Sequence, residues 1–153
     1  MLVVYIDADA CPVKDEIYRV ATRYALKVVV VANAPLRVPT DPRVELVVRT
    51  GFGAADDWIA SVAAVGDITI TADIPLAARC VANGGVVLDP KGRLLDAASV
   101  GEALAVRDLM EDLRQSGTVS GGPAPMTAKD RSRFLSRLDE TINALRRVHA
   151  SPG

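Results

Sequence analysis

The first apolar run of this chain constrains its fold more than any other feature. Residues 2–6 are apolar at every position and run straight into Asp7 and Asp9. A strand apolar on both sides is covered on both faces, the usual condition of a parallel sheet sandwiched between helices. The rest of the chain repeats the theme. Lys27–Ala32, Val44–Val48, residues 68–71 and Val86–Leu88 are short runs dominated by β-branched and other apolar residues. Most are separated by segments with helical spacing, the alternation of an α/β fold with a parallel sheet. The expected fold is an open, mostly parallel sheet of about five strands with helices on both faces, in one domain of 153 residues.

Between the strands, Pro12 suits a first helical turn, and Val13, Ile17, Val20, Ala21 and Tyr24 follow as a buried stripe. Pro35, Pro39 and Pro42 impose an extended connection after the second strand. Helices are expected over 55–65, from the Asp73-Ile74-Pro75 segment to about Ala82, over 100–115 and over 127–148. Gly84-Gly85 stops the second of these, and Pro90-Lys91-Gly92-Arg93 is a turn. Ser120-Gly121-Gly122-Pro123-Ala124-Pro125 reads as a linker. The last helix carries Phe134, Leu138, Ile142 and Leu145 on one stripe and must pack on the body or on a partner.

Half of the residues are apolar but only 4% aromatic, so the core is aliphatic. The formal charge of −1 signals no general polyanion binder, and any nucleic-acid contact needs a local patch. Two distant cysteines, Cys11 and Cys80, make no disulfide framework. No stretch reaches the length of a membrane span, and a cytoplasmic location is expected. The sequence leaves the oligomeric state open.

The chemistry lies in the aspartates. Ligands of open parallel sheets gather at the carboxyl ends of the strands. Asp7 and Asp9 follow the first strand and, while the chain stays extended, point the same way. Asp73 follows the fourth strand, and Asp56 and Asp57 open the helix after the third. Neighbouring helical residues diverge by about 100°, so one of that pair faces the cluster and the other caps the helix or meets solvent. Gathered carboxylates either take up protons or hold a cation. All-oxygen ligation favours Mg²⁺ or Mn²⁺, which polarise phosphoryl oxygens and acidify bound water. The expected ligands are Asp7, Asp9, Asp57 and Asp73, with Asp56 and Thr71 as further catalytic candidates. Helix capping accounts equally well for Asp56, Asp57 or Asp73 taken singly.

Lys14, Asn33 and Arg49 fall on the same edge and are candidate substrate contacts, although each also has an ordinary structural role there. Phe52 and Trp58 are either base-stacking platforms or core. Cys11 lacks a partner base, because His149, the single histidine, sits in the C-terminal tail. The C-terminal third is a mixed charged surface with a candidate basic stripe at Lys129, Arg131 and Arg133.

Several strings carry a resemblance: Tyr5-Ile6-Asp7-Ala8-Asp9-Ala10-Cys11-Pro12-Val13-Lys14, Gly51-Phe52-Gly53-Ala54-Ala55-Asp56-Asp57-Trp58-Ile59 and Thr71-Ala72-Asp73-Ile74-Pro75-Leu76-Ala77. With Arg107-Asp108-Leu109-Met110-Glu111, Gly121-Gly122-Pro123 and Asp130-Arg131 plus Phe134, they resemble the bacterial YaiI/YqxD family over nearly the whole chain. Gly53 departs from the Asp expected there. That family resembles a divergent branch of the PIN-like nucleases, which carry acids after the first strand and on a middle helix, and Thr-x-Asp after the fourth strand. The resemblance implies metal-dependent cleavage of RNA or DNA. Two other readings stay open. One is a haloacid-dehalogenase-like phosphatase, whose Asp-x-Asp would supply a nucleophile and a general acid. The other is a non-catalytic PIN-like module that binds RNA or protein.

Overall fold

The computed structural model describes residues 2–115 and 125–150. The linker expected at 120–125 and the Gly121-Gly122-Pro123 string lie outside them except for Pro125. His149 falls within the last helix, but its side chain is outside the description.

Six strands form one sheet in the order β3-β2-β1-β4-β5-β6. They are β1 (Val3–Asp7), β2 (Lys27–Ala32), β3 (Val44–Val48), β4 (Ile68–Ile70), β5 (Val86–Leu88) and β6 (Leu94–Leu95). The first five are parallel, and β6 returns antiparallel beside β5. The helices are α1 (Lys14–Arg23), α2 (Ala54–Val62), α3 (Ile74–Ala82), α4 (Ala97–Gln115) and α5 (Ala128–Ala150). The architecture is the mostly parallel α/β sheet expected from the strand patterning. The additional strand, β6, is two residues long and too short to show a period of its own. Its turn is built by Asp89, whose carboxylate accepts from Lys91 N and Arg93 N.

The strand order places β1 centrally, between β2 and β4. The chain runs outward through β2 and β3, then crosses to β4 on the other side. In open parallel sheets such a reversal is where ligands bind, here at the carboxyl ends of β1 and β4. Alternation divides the strands between two cores. Val4, Ile6, Val28, Val30, Ile68 and Ile70 pack with α1 and α5. Tyr5, Val29, Val31 and Val87 pack with α2, α3 and the start of α4.

Helix ends follow from local chemistry. Ser99 and Asp96 exchange hydrogen bonds ahead of α4, and Thr127 and Asp130 do the same ahead of α5. These reciprocal boxes satisfy end amides. The first starts α4 three residues before the expected 100. Helix α1 begins at Lys14 rather than at Pro12, and α2 ends at Val62 rather than 65 because Asp67 captures Ala64 N and Val3 N.

Phe134, Leu138 and Ile142 of α5 are fully buried in the core shared with α1. Asp139 accepts from Arg23 at 2.6 Å and from the Tyr24 hydroxyl at 2.8 Å. The last helix therefore packs on the body. Two members of the candidate basic stripe have acidic partners: Arg131 binds Pro12 O and Glu16, and Arg133 lies 3.7 Å from Asp130. Among the described residues, no helix is long and apolar enough to cross a membrane.

Candidate acidic site

Asp7 closes β1 on the face it shares with Tyr5, so its carboxylate points under α2 and α3. It is buried, and Thr71, just past β4, donates to its Oδ2 at 2.7 Å. The same hydroxyl oxygen accepts from Asp73 N at 2.9 Å. Asp73 is the N-cap of α3, with Oδ1 accepting from Leu76 N at 3.0 Å. Thr71 thus ties the ends of β1 and β4 together through one side chain.

Burial raises the pKa of Asp7, and the charges of Asp73 and Asp9 raise it further; the Thr71 hydrogen bond and Lys14 oppose them. Asp56, in the first turn of α2, completes the group. Its pKa is pushed up to about 6, first by burial, then by the charges of Asp73 and Asp7 and by a hydrogen bond shared with Asp73. Arg79 opposes that rise.

Two expected members stand elsewhere. Asp57 is exposed and bound to Arg79 at 2.7 Å, so Asp56 is the inward member of the pair. The angular step of about 100° per helical residue turns the two apart. Asp9 does not stay aligned with Asp7, because Ala8–Ala10 winds into a 3₁₀ turn as soon as β1 ends. Both Asp9 oxygens accept from Asn33 N at 3.2 Å, at the end of β2. Of the expected ligands, Asp7 and Asp73 are therefore brought together, with Asp56 as the third carboxyl, whereas Asp9 stands at the margin and Asp57 outside the group.

Among the described residues, no group of three or more His, Cys, Asp or Glu side chains is placed to hold a metal ion. A preformed protein cage is thus absent there. Mg²⁺ characteristically needs less: one or two carboxylates, with water and substrate phosphate completing its octahedron. The paired carboxyls of Asp56 and Asp73, beside a fixed Asp7, match that donor chemistry.

Of the candidate substrate contacts, Lys14 and Asn33 adjoin Asp7 and Asp9, and Arg49 stands at the end of β3, two strands from β1. Lys14 Nζ donates to Cys11 O at 2.9 Å. Asn33 is exposed and holds Asp9 through its backbone. Arg49 donates to Val48 O, and its guanidinium lies 5.5 Å from the centroid of the Trp58 ring. Trp58 is half-buried and meets Tyr5 edge-on, with ring centroids 6.2 Å apart. Phe52 is fully exposed, so it is not core. Cys11 and Cys80 are buried thiols whose pKa burial raises, the opposite of an activated nucleophile. Arg79 carries no signal in the sequence, where 22 residues separate it from Asp57 and no local spacing links them.

Residues 5–144 match the family described as the uncharacterised YaiI/YqxD family. The chain belongs to the YaiI/YqxD family. Its similarity to curated relatives is end to end. A UPF0178 protein of Rhodospirillum centenum is 58% identical over 152 residues, covering 96% of this chain and 99% of the relative. Another, from Rhodopseudomonas palustris strain BisB5, is 55% identical over 150 residues, covering 97% and 92%. A third, from Bradyrhizobium sp. strain ORS 278, is 55% identical over 151 residues, covering 98% and 92%. No solved structure matches significantly. The YaiI/YqxD match spans the whole acidic group, from Asp7 through Asp56 to Asp73.

Proposed function

We propose that the acidic crevice is the active site of a divalent-metal-dependent nuclease acting on RNA or DNA. The observation that carries this reading is the convergence of Asp7, Asp56 and Asp73 where the strand order reverses. The three are electrostatically coupled, and Thr71 locks one to the backbone of another. A purely structural role explains Asp73, which caps α3. It does not explain a buried Asp7, or an Asp56 held against two other acids at a cost to its ionised form.

Asp56 and Asp73, with Asp7, would hold Mg²⁺ or Mn²⁺, which would polarise a phosphoryl oxygen and ease deprotonation of water. The chain's own residues do the positioning. Thr71 fixes the Asp7 carboxylate, and the cap bond to Leu76 N holds one Asp73 oxygen. Arg79 tempers the repulsion felt by Asp56. The burial of Asp7 favours this reading over a phosphatase with Asp7 as nucleophile, which would have to be open to in-line attack on a substrate phosphate.

The test is cleavage of labelled RNA and DNA strands in Mn²⁺ by wild type, Asp73→Asn and Asp57→Asn. Activity in wild type that falls at least about a hundredfold in Asp73→Asn, but less than about threefold in Asp57→Asn, fits the geometry. Equal loss in both variants, or cleavage that survives Asp73→Asn, contradicts it.

A further inference from the structure

The loop between β3 and α2 holds an aromatic side chain away from the protein. Phe52 is fully exposed, although Tyr5, Trp58 and Ile59 of the second core lie on neighbouring elements. The glycines on either side both have positive φ, +113° at Gly51 and +70° at Gly53. That backbone is readily adopted by glycine, and a hydrogen bond from Ala54 N to Gly51 O closes the turn. The space beside Gly53 is open, with no atom within 4 Å of an added Cβ. A single exposed apolar side chain is ordinary on a protein surface. Three features set this one apart.

The first is position: Phe52 sits at the carboxyl end of β3, four residues before Asp56. The second is the neighbouring cation. Arg49 is exposed at the same strand end and packed over Trp58, and its guanidinium donates one hydrogen bond, to its own strand, among those described. A guanidinium has five donor hydrogens in a planar fork suited to phosphate. The third is reach. β3 lies two strands from β1, and strands are spaced about 4.8 Å apart, so the two strand ends are roughly 10 Å apart. Stacked nucleotides advance about 3.4 Å each, so roughly three cover that distance.

An exposed ring on the same loop as an accessible guanidinium, three residues after it, is a combination that holds unpaired nucleotides, with the base on the ring and the phosphate on the cation. A duplex keeps its base faces covered and offers nothing for such a ring to stack on. We infer that Phe52 and Arg49 form the strand-holding part of the acidic site, and that its substrate class is single-stranded nucleic acid. The inference rests on the nuclease reading for the polymer, and on the loop for the strandedness.

Binding is measured by fluorescence anisotropy with short labelled single strands and their duplexes, in Ca²⁺, with Mn²⁺ cleavage followed in parallel. Phe52→Ala should weaken single-strand binding about tenfold, Phe52→Trp should restore it, and Arg49→Ala should weaken it and flatten its salt dependence. Wild type should bind single strands more tightly than duplexes, and unchanged melting curves show that the variants stay folded. Phe52→Ala binding like wild type, a preference for duplex, or no binding by wild type overturns the inference. Cleavage without any dependence on Phe52 removes the strand-holding role and leaves the nuclease reading. Phe52-dependent binding without cleavage does the reverse.

Discussion

Asp56→Asn tests the electrostatics of the crevice without reference to any substrate. In the folded chain the Asp56 carboxyl is raised from 3.8 to about 6. The folded state therefore holds this proton more tightly than the unfolded chain. Its favourable contribution is complete below pH 3.8 and is lost as pH rises through about 6. Taken at face value, the displacement corresponds to about 3 kcal/mol at 1.36 kcal/mol per pH unit. Asp56 is only partly buried, so solvent screening reduces the figure to about 1 kcal/mol. Asparagine can donate to Asp73 as a protonated Asp56 does, but it carries no charge. The variant should therefore be more stable than wild type by about 1 kcal/mol near pH 7.5, a rise in Tm of about 3 °C for a domain of this size. The gain should vanish near pH 4. Thermal melts followed by circular dichroism in chelator, at both pH values, decide it. A variant less stable at pH 7.5, or equally stabilised at both pH values, refutes the reasoning. Saturating Mn²⁺ should reverse the order, because only wild type keeps the full carboxylate set and gains binding free energy.

Two further substitutions probe the scaffold. Thr71→Val removes the donor to the buried Asp7 Oδ2; an unsatisfied buried acceptor costs about 1–3 kcal/mol, read as a lower urea midpoint, with the larger loss above the Asp7 pKa. Ala25→Gly should stabilise by about 1 kcal/mol in the same measurement, because Ala25 occupies φ 54° at the end of α1 and a left-handed conformation is unfavourable for alanine. The bonds Leu26 N to Ala21 O and Ala25 N to Thr22 O are repeated at the end of α3, where Gly84 stands in place of alanine.

The layout of the sheet was legible because its strands are buried on both faces and therefore apolar throughout. β2, β3 and β5 fall at the residues their composition marks, and the Asp73 cap and the apolar stripe of α5 are as clear. What the sequence could not supply was rotation. Choosing between Asp56 and Asp57 requires the phase of α2 relative to the sheet, which is set by the burial of Ala55, Ile59 and Ala60. Aligning Asp7 with Asp9 assumed a strand that continues, whereas the chain turns at Ala8. Arg79 and Asp57 meet only because α2 and α3 are neighbours, and no sequence spacing announces tertiary adjacency.

In the proposed function, the acidic group holds a divalent cation through its own aspartates. Calorimetric titration of Mn²⁺ into wild type and into an Asp7→Asn/Asp73→Asn double variant tests it directly. Saturable binding in wild type, absent from a double variant that remains folded, is the expected result. Binding of equal strength in both, or none in wild type, would contradict the account.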